Sequence, residues 1–437
     1  MIRPKSLESE RPYGPWSCRG VDIWETICAA RDGDVASLRQ LLERDPNLYR
    51  AEYWYTQPIH FAVREGHLDA VQLLLAAGAD PDWHGLQADP LTTVARDRGH
   101  EAVARLLESA DRAAPAEEAE TPAVPESPIH VAAAAGDTEK INELLDADAS
   151  QRHTTDSDSR TPLSRAVAAQ QREIVALLLE RGADPNWPEG AEAPQGRALY
   201  VASRAGDRAL VELLLAHGAD PNATIDSAGS ATFAAATPEM RDLLIAKGGT
   251  LDPYDLIFLG EDEAALRRVE ADLACAQAGC GGALAAACTL GKRDLVVRLL
   301  RLGVRLPEMV TECRTYLWCD PDLLCLLLDS GMDPDLPDWQ HATPLHSLCE
   351  CDYRGRPRPH RVQCAEILLD AGASITARDE DYQSTPLAWA ARSGQVEMVD
   401  LLLAKGAPTE LADDESWATP LAWARRRGHE AIVERLQ

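Results

Sequence analysis

A chain of 437 residues that is 45% hydrophobic is longer than one globular core usually sustains, so several domains or a repeat array are expected. Its 71 acidic against 43 basic residues give a net charge of −28, which argues against a nucleic-acid or anionic-membrane partner and favours solubility and a basic protein partner. No stretch approaches the ~20 apolar residues of a membrane span, and 11 cysteines without framework spacing read as reduced thiols, which places the chain in the cytoplasm.

Residues 1–20 carry Pro4, Pro12 and Pro15 without a repeat pattern and read as an N-terminal tail. Arg3 and Lys5 are followed by no apolar run, so no signal peptide is expected there. From Val21 the run DIWETICAARDGDVASLRQLLER opens a block over 21–108 of about three helix pairs, the later ones starting near Thr56 and Gln87. The third has one residue too many between Pro90 and Gly99 and lacks the Gly-Ala-Asp ending of its neighbours. Residues 109–126, SADRAAPAEEAETPAVPE, are rich in Ala, Pro and Glu and form either an acidic linker or one long finger. A second block over 127–437 holds about ten more pairs and is degenerate over 230–340, where ATFAAATPEMRDLLIAKGGTLDP has lost about one turn. The last units start near His341, Gln383 and Trp417, and the polar face of Arg425, Arg426, Arg427, Glu430, Glu434 and Arg435 suits a terminal cap.

The unit itself has a physical logic. QPIHFAVREGHLDAVQLLLAAGADPD from Gln57, TPLSRAVAAQQREIVALLLERGADPN from Thr161 and TPLAWAARSGQVEMVDLLLAKGAPTE from Thr385 share one frame. Thr161, Thr343, Thr385 and Thr419 stand where an N-cap is needed, and the prolines after them fill a first helical position that needs no N–H. Gly66, Gly136, Gly206, Gly394 and Gly428 mark the reversal between helices. Apolar residues then recur at helical spacing, and Gly-Ala-Asp-Pro ends the second helix. This frame resembles the ankyrin repeat, with its period of ~33 residues. The resemblance covers about 21–437 and implies an α-dominated solenoid of helix-turn-helix units with β-hairpin or loop fingers, a concave face of first helices, and a role in binding proteins.

Candidate chemistry is sparse. His60, His130 and His346 fill one motif position, where the resemblance implies hydrogen bonds to local backbone or the motif hydroxyl. Cys349, Cys351, His360 and Cys364 have the ligand types for tetrahedral zinc, but Cys349 and Cys364 fall on core positions. Between them lies a basic insertion with Arg354, Arg356, Arg358 and Arg361, able to meet an acidic group or tolerated as a surface loop. No nucleophile elbow, phosphate loop or metalloprotease motif occurs, so no enzyme activity and no cofactor are expected. The finger tips are the richest surface: Trp54, Tyr55, Trp83, Trp187, Trp339, Tyr382 and Trp417 stand there, many of them beside acids, in the composition of a binding hot spot or of a stiffened finger row. Trp389 and Trp423 fall within helices and read as core. The sequence thus predicts a monomeric, non-catalytic adaptor that binds a partner protein through its concave face and fingers. The alternatives are an acidic mask for a basic protein, or a metal- or ligand-binding module at 349–364.

Overall fold

The computed structural model describes residues 1–8, 10, 12–13, 18–54, 56–83, 89–113, 127–189, 196–223, 225, 229–277, 282–306, 308–309, 320–350 and 360–437. The described residues form consecutive helix pairs. The first three are α1 (Gly20–Asp32) with α2 (Val35–Arg44), α3 (Pro58–Arg64) with α4 (Leu68–Ala76), and α5 (Leu91–Asp97) with α6 (Glu101–Ala113). Then come α7 (Pro128–Ala135) with α8 (Thr138–Ala147), α9 (Pro162–Ala168) with α10 (Arg172–Glu180), and α11 (Arg197–Ala205) with α12 (Arg208–Ala216). In the degenerate stretch α13 (Pro238–Ala246) follows a bare turn at 231–234, the helix that the missing residues would have made. Next are α14 (Pro253–Phe258) with α15 (Asp262–Ala271), α16 (Gly282–Thr289) with α17 (Arg293–Arg301), and α18 (Pro321–Asp329). The array closes with α19 (Pro344–Cys349) and α20 (Arg361–Asp370), α21 (Pro386–Arg392) and α22 (Val396–Ala404), and α23 (Pro420–Arg427) and α24 (Glu430–Leu436). Within α1–α6, α7–α12 and α19–α24 first helices stack on first helices and second on second, which buries the apolar faces between neighbours.

The motif residues act locally as their chemistry dictates. The hydroxyls of Thr161, Thr385 and Thr419 accept from the N–H of Ser164, Ala388 and Ala422 at 3.2, 3.4 and 3.2 Å, which satisfies an orphan donor of each first helix. At Gly66 the backbone is left-handed, with φ of 78°, and an added Cβ would lie 2.4 Å from His100 Nδ1. His100 needs that space because its Nε2 reaches the Arg64 carbonyl at 3.2 Å and ties one unit to the next. Helix α6 runs to Ala113 and is longer than the other second helices.

Of the expected hairpin or loop fingers, the described ones are mostly loops. Among the described residues the only ladder joins Pro12–Tyr13 to Cys18–Arg19, and Tyr53 bridges Thr56. In the Asp-Pro-Asn turns proline has no N–H to give a ladder, and the preceding aspartate caps the turn instead: Asp184 Oδ1 accepts from Asn186 N–H at 2.9 Å. Asn186 in turn donates to the Gly218 carbonyl at 2.9 Å and accepts from Asp220 N–H at 2.8 Å. Asn222 repeats this one unit later toward Gly248 and Thr250. Side-chain amides, not strands, rivet these fingers together.

Three apolar clusters form the core. One spans Ile129 to Leu244 and another Leu251 to Leu436. The third spans Leu7 to Leu107 and includes two residues from far along the chain, Met309 and Trp339. The N-terminal segment is therefore not a loose tail: Leu7 and Cys18 are fully buried, and Ile2 N–H donates to the Trp339 carbonyl at 2.9 Å.

Candidate binding surface

The presence of Trp339 in the N-terminal core shows that the chain closes on itself. Its indole is 2% exposed and meets the Tyr53 ring edge-on at 5.1 Å and the Phe61 ring at 5.6 Å. Beside it Arg64, 2% exposed, donates to Gln340 Oε1 at 2.9 Å and lies 3.7 Å from Asp381. His60 Nε2 meets Asp381 Oδ1 at 2.9 Å, and Arg98 donates to the Asp381 carbonyl. Burial raises the Asp381 pKa, but His60, Arg64 and Arg98 together outweigh it and hold the carboxyl well below its usual range.

The contact is reciprocal. Asp89, 6% exposed on the N-terminal finger before α5, accepts from Arg392 at 3.2 Å and from Arg427. Asp97 pairs with Arg426 at 2.9 Å. Arg98 covers the Trp417 ring at 4.8 Å. Each block thus lays a finger against the first helices of the other.

These contacts decide where the sequence candidates stand. Of the finger-tip aromatics singled out in the sequence, four are wholly or partly covered. Trp339 is buried. Tyr382 is half-buried between Trp389 at 5.4 Å and Trp423 at 5.6 Å, with Arg392 over its face at 4.2 Å. Trp417 is half-buried under Arg98 and beside Trp423. Trp83 is half-buried and meets His60 at 5.9 Å. Trp339 and Trp417 are covered because the two terminal blocks face one another, whereas the rings and charge that meet Tyr382 and Trp83 belong to their own blocks. Trp54 and Trp187 are each 39% exposed, and Tyr55 lies outside the described residues. Trp389 and Trp423 are buried.

Trp187 is held differently. Its indole stacks on the His153 imidazole at 4.0 Å with 3° between the planes. His153 Nε2 accepts from Asp184 N–H at 3.0 Å, so that nitrogen carries no proton. Burial and the Arg152 charge outweigh Asp184 and lower the His153 pKa below its ordinary value. The result is a flat aromatic pair fixed on a finger, beside exposed Asp184 and Asp220.

The remaining candidates divide. His346 bonds its own Thr343 at 3.0 Å and the Ser384 carbonyl at 3.1 Å, and His130 bonds the Thr154 carbonyl at 3.1 Å. His60 alone of the three turns to the opposite block. Cys349 and Cys364 are fully buried in the C-terminal core, where burial pushes the Cys349 thiol up and keeps it protonated. His360 is exposed, and Cys351 lies outside the described residues, as do Arg354, Arg356 and Arg358. Among the described residues no group of three or more His, Cys, Asp or Glu side chains is placed to hold a metal. Arg361 is 7% exposed within α20, not part of a basic surface loop. No described helix is long and apolar enough to cross a membrane.

Sequence reasoning missed Asp89, Asp381 and their arginines. A signal existed: arginine stands two residues before the turn glycine at Arg31, Arg64, Arg392 and Arg426, in the two blocks that meet. Arg204 holds the same place in the middle of the array and stays exposed.

Stacked helix pairs with an inner face and a row of fingers define a repeat scaffold of the kind that binds other proteins. A family profile described as "Ankyrin repeats (3 copies)" matches residues 26–119, 91–189, 129–225, 315–413 and 360–437, well over half of the sequence. The chain belongs to the ankyrin repeat family, whose fold is typically a non-enzymatic binding scaffold. It is 40% identical over 83 residues to a probable E3 ubiquitin-protein ligase, XBOS33, of Oryza sativa subsp. japonica, covering 18% of this chain and 16% of that one. It is 27% identical over 169 residues to ankyrin repeat and SAM domain-containing protein 6 of Danio rerio, covering 38% and 22%. The matches span less than a quarter of the length of these relatives. Among solved structures, the human ASB11 ankyrin repeat domain is 24% identical, with 52% of this chain and 98% of that one covered at a TM-score of 0.26.

Proposed function

We propose that this protein is a non-catalytic adaptor that holds a partner protein on the fingers and first helices between α7 and α17, the stretch flanked by the two blocks that cover each other. The observation that carries this reading is the Trp187–His153 stack. An exposed indole already fixed on a second ring has little freedom left to lose on binding, and such aromatics are the usual anchors of protein interfaces. Exposed Asp184 and Asp220 beside it favour a partner with basic groups around an apolar anchor. The chain's own closure supports the same use of its fingers, since Trp339 engages a folded protein surface in cis.

The test is parallel affinity capture with the wild-type chain and Trp187→Ala, followed by titration of each captured protein. At least one captured protein is expected to lose about 2 kcal/mol of affinity for the variant, with far-UV circular dichroism and melting temperature unchanged. An identical captured set with identical affinities would refute the reading.

A further inference from the structure

The C-terminal surface that the N-terminal block covers has its own chemistry. Arg392 and Arg426 lie at the ends of α21 and α23, with Arg427 next to Arg426. Arg392 sits 4.2 Å from the centre of the Tyr382 ring and 5.5 Å from that of Trp423, and it donates to the Tyr382 hydroxyl at 3.0 Å. Arg426 sits 4.7 Å from the centre of Trp423. Three guanidiniums, two of them backed by aromatic rings, make a cationic patch on a chain whose net charge is −28. Rings hold such planar groups in place, and their paired N–H donors suit carboxylates. Asp89 and Asp97 of the N-terminal block supply those carboxylates.

We propose that this patch is a binding surface for an acidic segment of a partner protein, and that Asp89 and Asp97 occupy it in cis as an exchangeable stand-in. The closure has two unlike halves. Around Trp339 it is apolar and continuous with a core. Around Asp89 and Asp97 it is charged, and Arg427 and Arg426 remain 35% and 28% exposed. Partly exposed ion pairs such as Arg426–Asp97 contribute little net stability, and polar contacts between blocks of one chain are of the kind that exchange. The charged half can therefore release its carboxylates while the Trp339 half holds. This surface is separate from the Trp187 finger and binds the opposite charge.

The test uses the full chain and a fluorescent octa-aspartate peptide as probe, followed by anisotropy. Asp89→Asn with Asp97→Asn preserves side-chain shape, removes both stand-in charges, and is expected to bind the probe about tenfold more tightly than wild type. Adding Arg392→Gln and Arg427→Gln should return binding to the wild-type level, and an octa-serine peptide should not bind. If the double variant loses its circular-dichroism signal, Asp97→Asn alone serves: it should bind the probe about threefold more tightly, a gain that Arg426→Gln cancels. Trp187→Ala should leave every one of these values unchanged, which separates this proposal from the adaptor reading. No gain on removing the aspartates, or a gain that survives loss of the arginines, would overturn it.

Discussion

Asp89 and Asp381 occupy reciprocal places: each stands on a finger of one terminal block and meets basic groups on the first helices of the other. Asp89 faces Arg392 and Arg427; Asp381 faces His60 and Arg64. The first and last parts of the repeat array are thereby joined by an exchange of carboxylates.

Replacing Asp381 with Ala should open this joint at its His60–Arg64 end. Arg64 would keep Gln340 and Glu65 but lose its cross-block charge, and His60 would lose its bond to the opposite block. Loss of one member of a buried pair typically costs about 3 kcal/mol. The expected result is a lower unfolding transition for the N-terminal block and a larger radius of gyration in X-ray scattering. An unchanged radius and transition would show that the Trp339 contact holds the blocks without help.

Trp339→Ala should behave as a core substitution despite its place on a finger. Removing a buried indole that meets Tyr53 and Phe61 should cost about 3–5 kcal/mol, seen as a fall in melting temperature. Affinity for a partner held through Trp187 should stay the same. The two substitutions thus separate two tryptophans whose sequence settings look alike.

His346 makes stability depend on pH. Burial pushes its pKa from 6.5 down to about 4, against the raising effect of its bond to the Ser384 carbonyl. As pH falls from 6.5 toward 4, the unfolded chain takes up a proton that the folded chain refuses, so stability drops across that window. Asp379 works in the opposite sense. Burial raises its pKa from 3.8 to about 6, so the folded chain takes up a proton first as pH falls through that interval. Urea unfolding between pH 7 and 4 should show a shallower acid loss in His346→Asn than in wild type, and parallel curves would contradict the assignment.

Gly394→Ala should destabilise more than Gly406→Ala. Both positions are left-handed, with φ of 70° and 88°, so both pay backbone strain of about 1 kcal/mol. At Gly394 the new methyl would also meet His429 at 2.7 Å, whereas nothing lies within 4 Å at Gly406. Since His429 reaches the Arg392 carbonyl at 3.2 Å, the clash should loosen the last unit. Equal melting points for the two variants would remove the clash from the account.

What could be read from the sequence was what one unit dictates to itself. Thr385 and Pro386 announce a helix start, Gly394 a turn, and Val399, Leu402 and Leu403 an apolar stripe; the structure places the start and the turn accordingly, buries Val399 and Leu402, and half-buries Leu403. Trp389 and Trp423 were legible as core because helical spacing puts them on the inward face. The state of the finger tryptophans was not legible. Trp187 and Trp339 both follow an Asp-Pro turn, and that turn fixes where the indole stands without fixing what covers it. Cover comes from contacts across hundreds of residues, such as His60 with Asp381, and such contacts leave no period in the sequence. Of the two finger forms expected, hairpin or loop, the described Asp-Pro fingers take the loop for a local reason, the missing proline N–H and the competing aspartate cap.

The closure through Trp339 also sets an order of events during synthesis. Most contacts in a stacked array form between neighbours and can be made as the chain leaves the ribosome. The His60–Asp381 bond spans 321 residues, which at roughly 5–20 residues per second amounts to tens of seconds. For most of that delay, until Trp339 is made, the nascent N-terminal block carries Tyr53 and Phe61 without the indole that covers them. Its earliest-made part is the last to be completed, and for that interval it presents an adhesive face that another nascent copy or a chaperone can reach before its own C-terminus does.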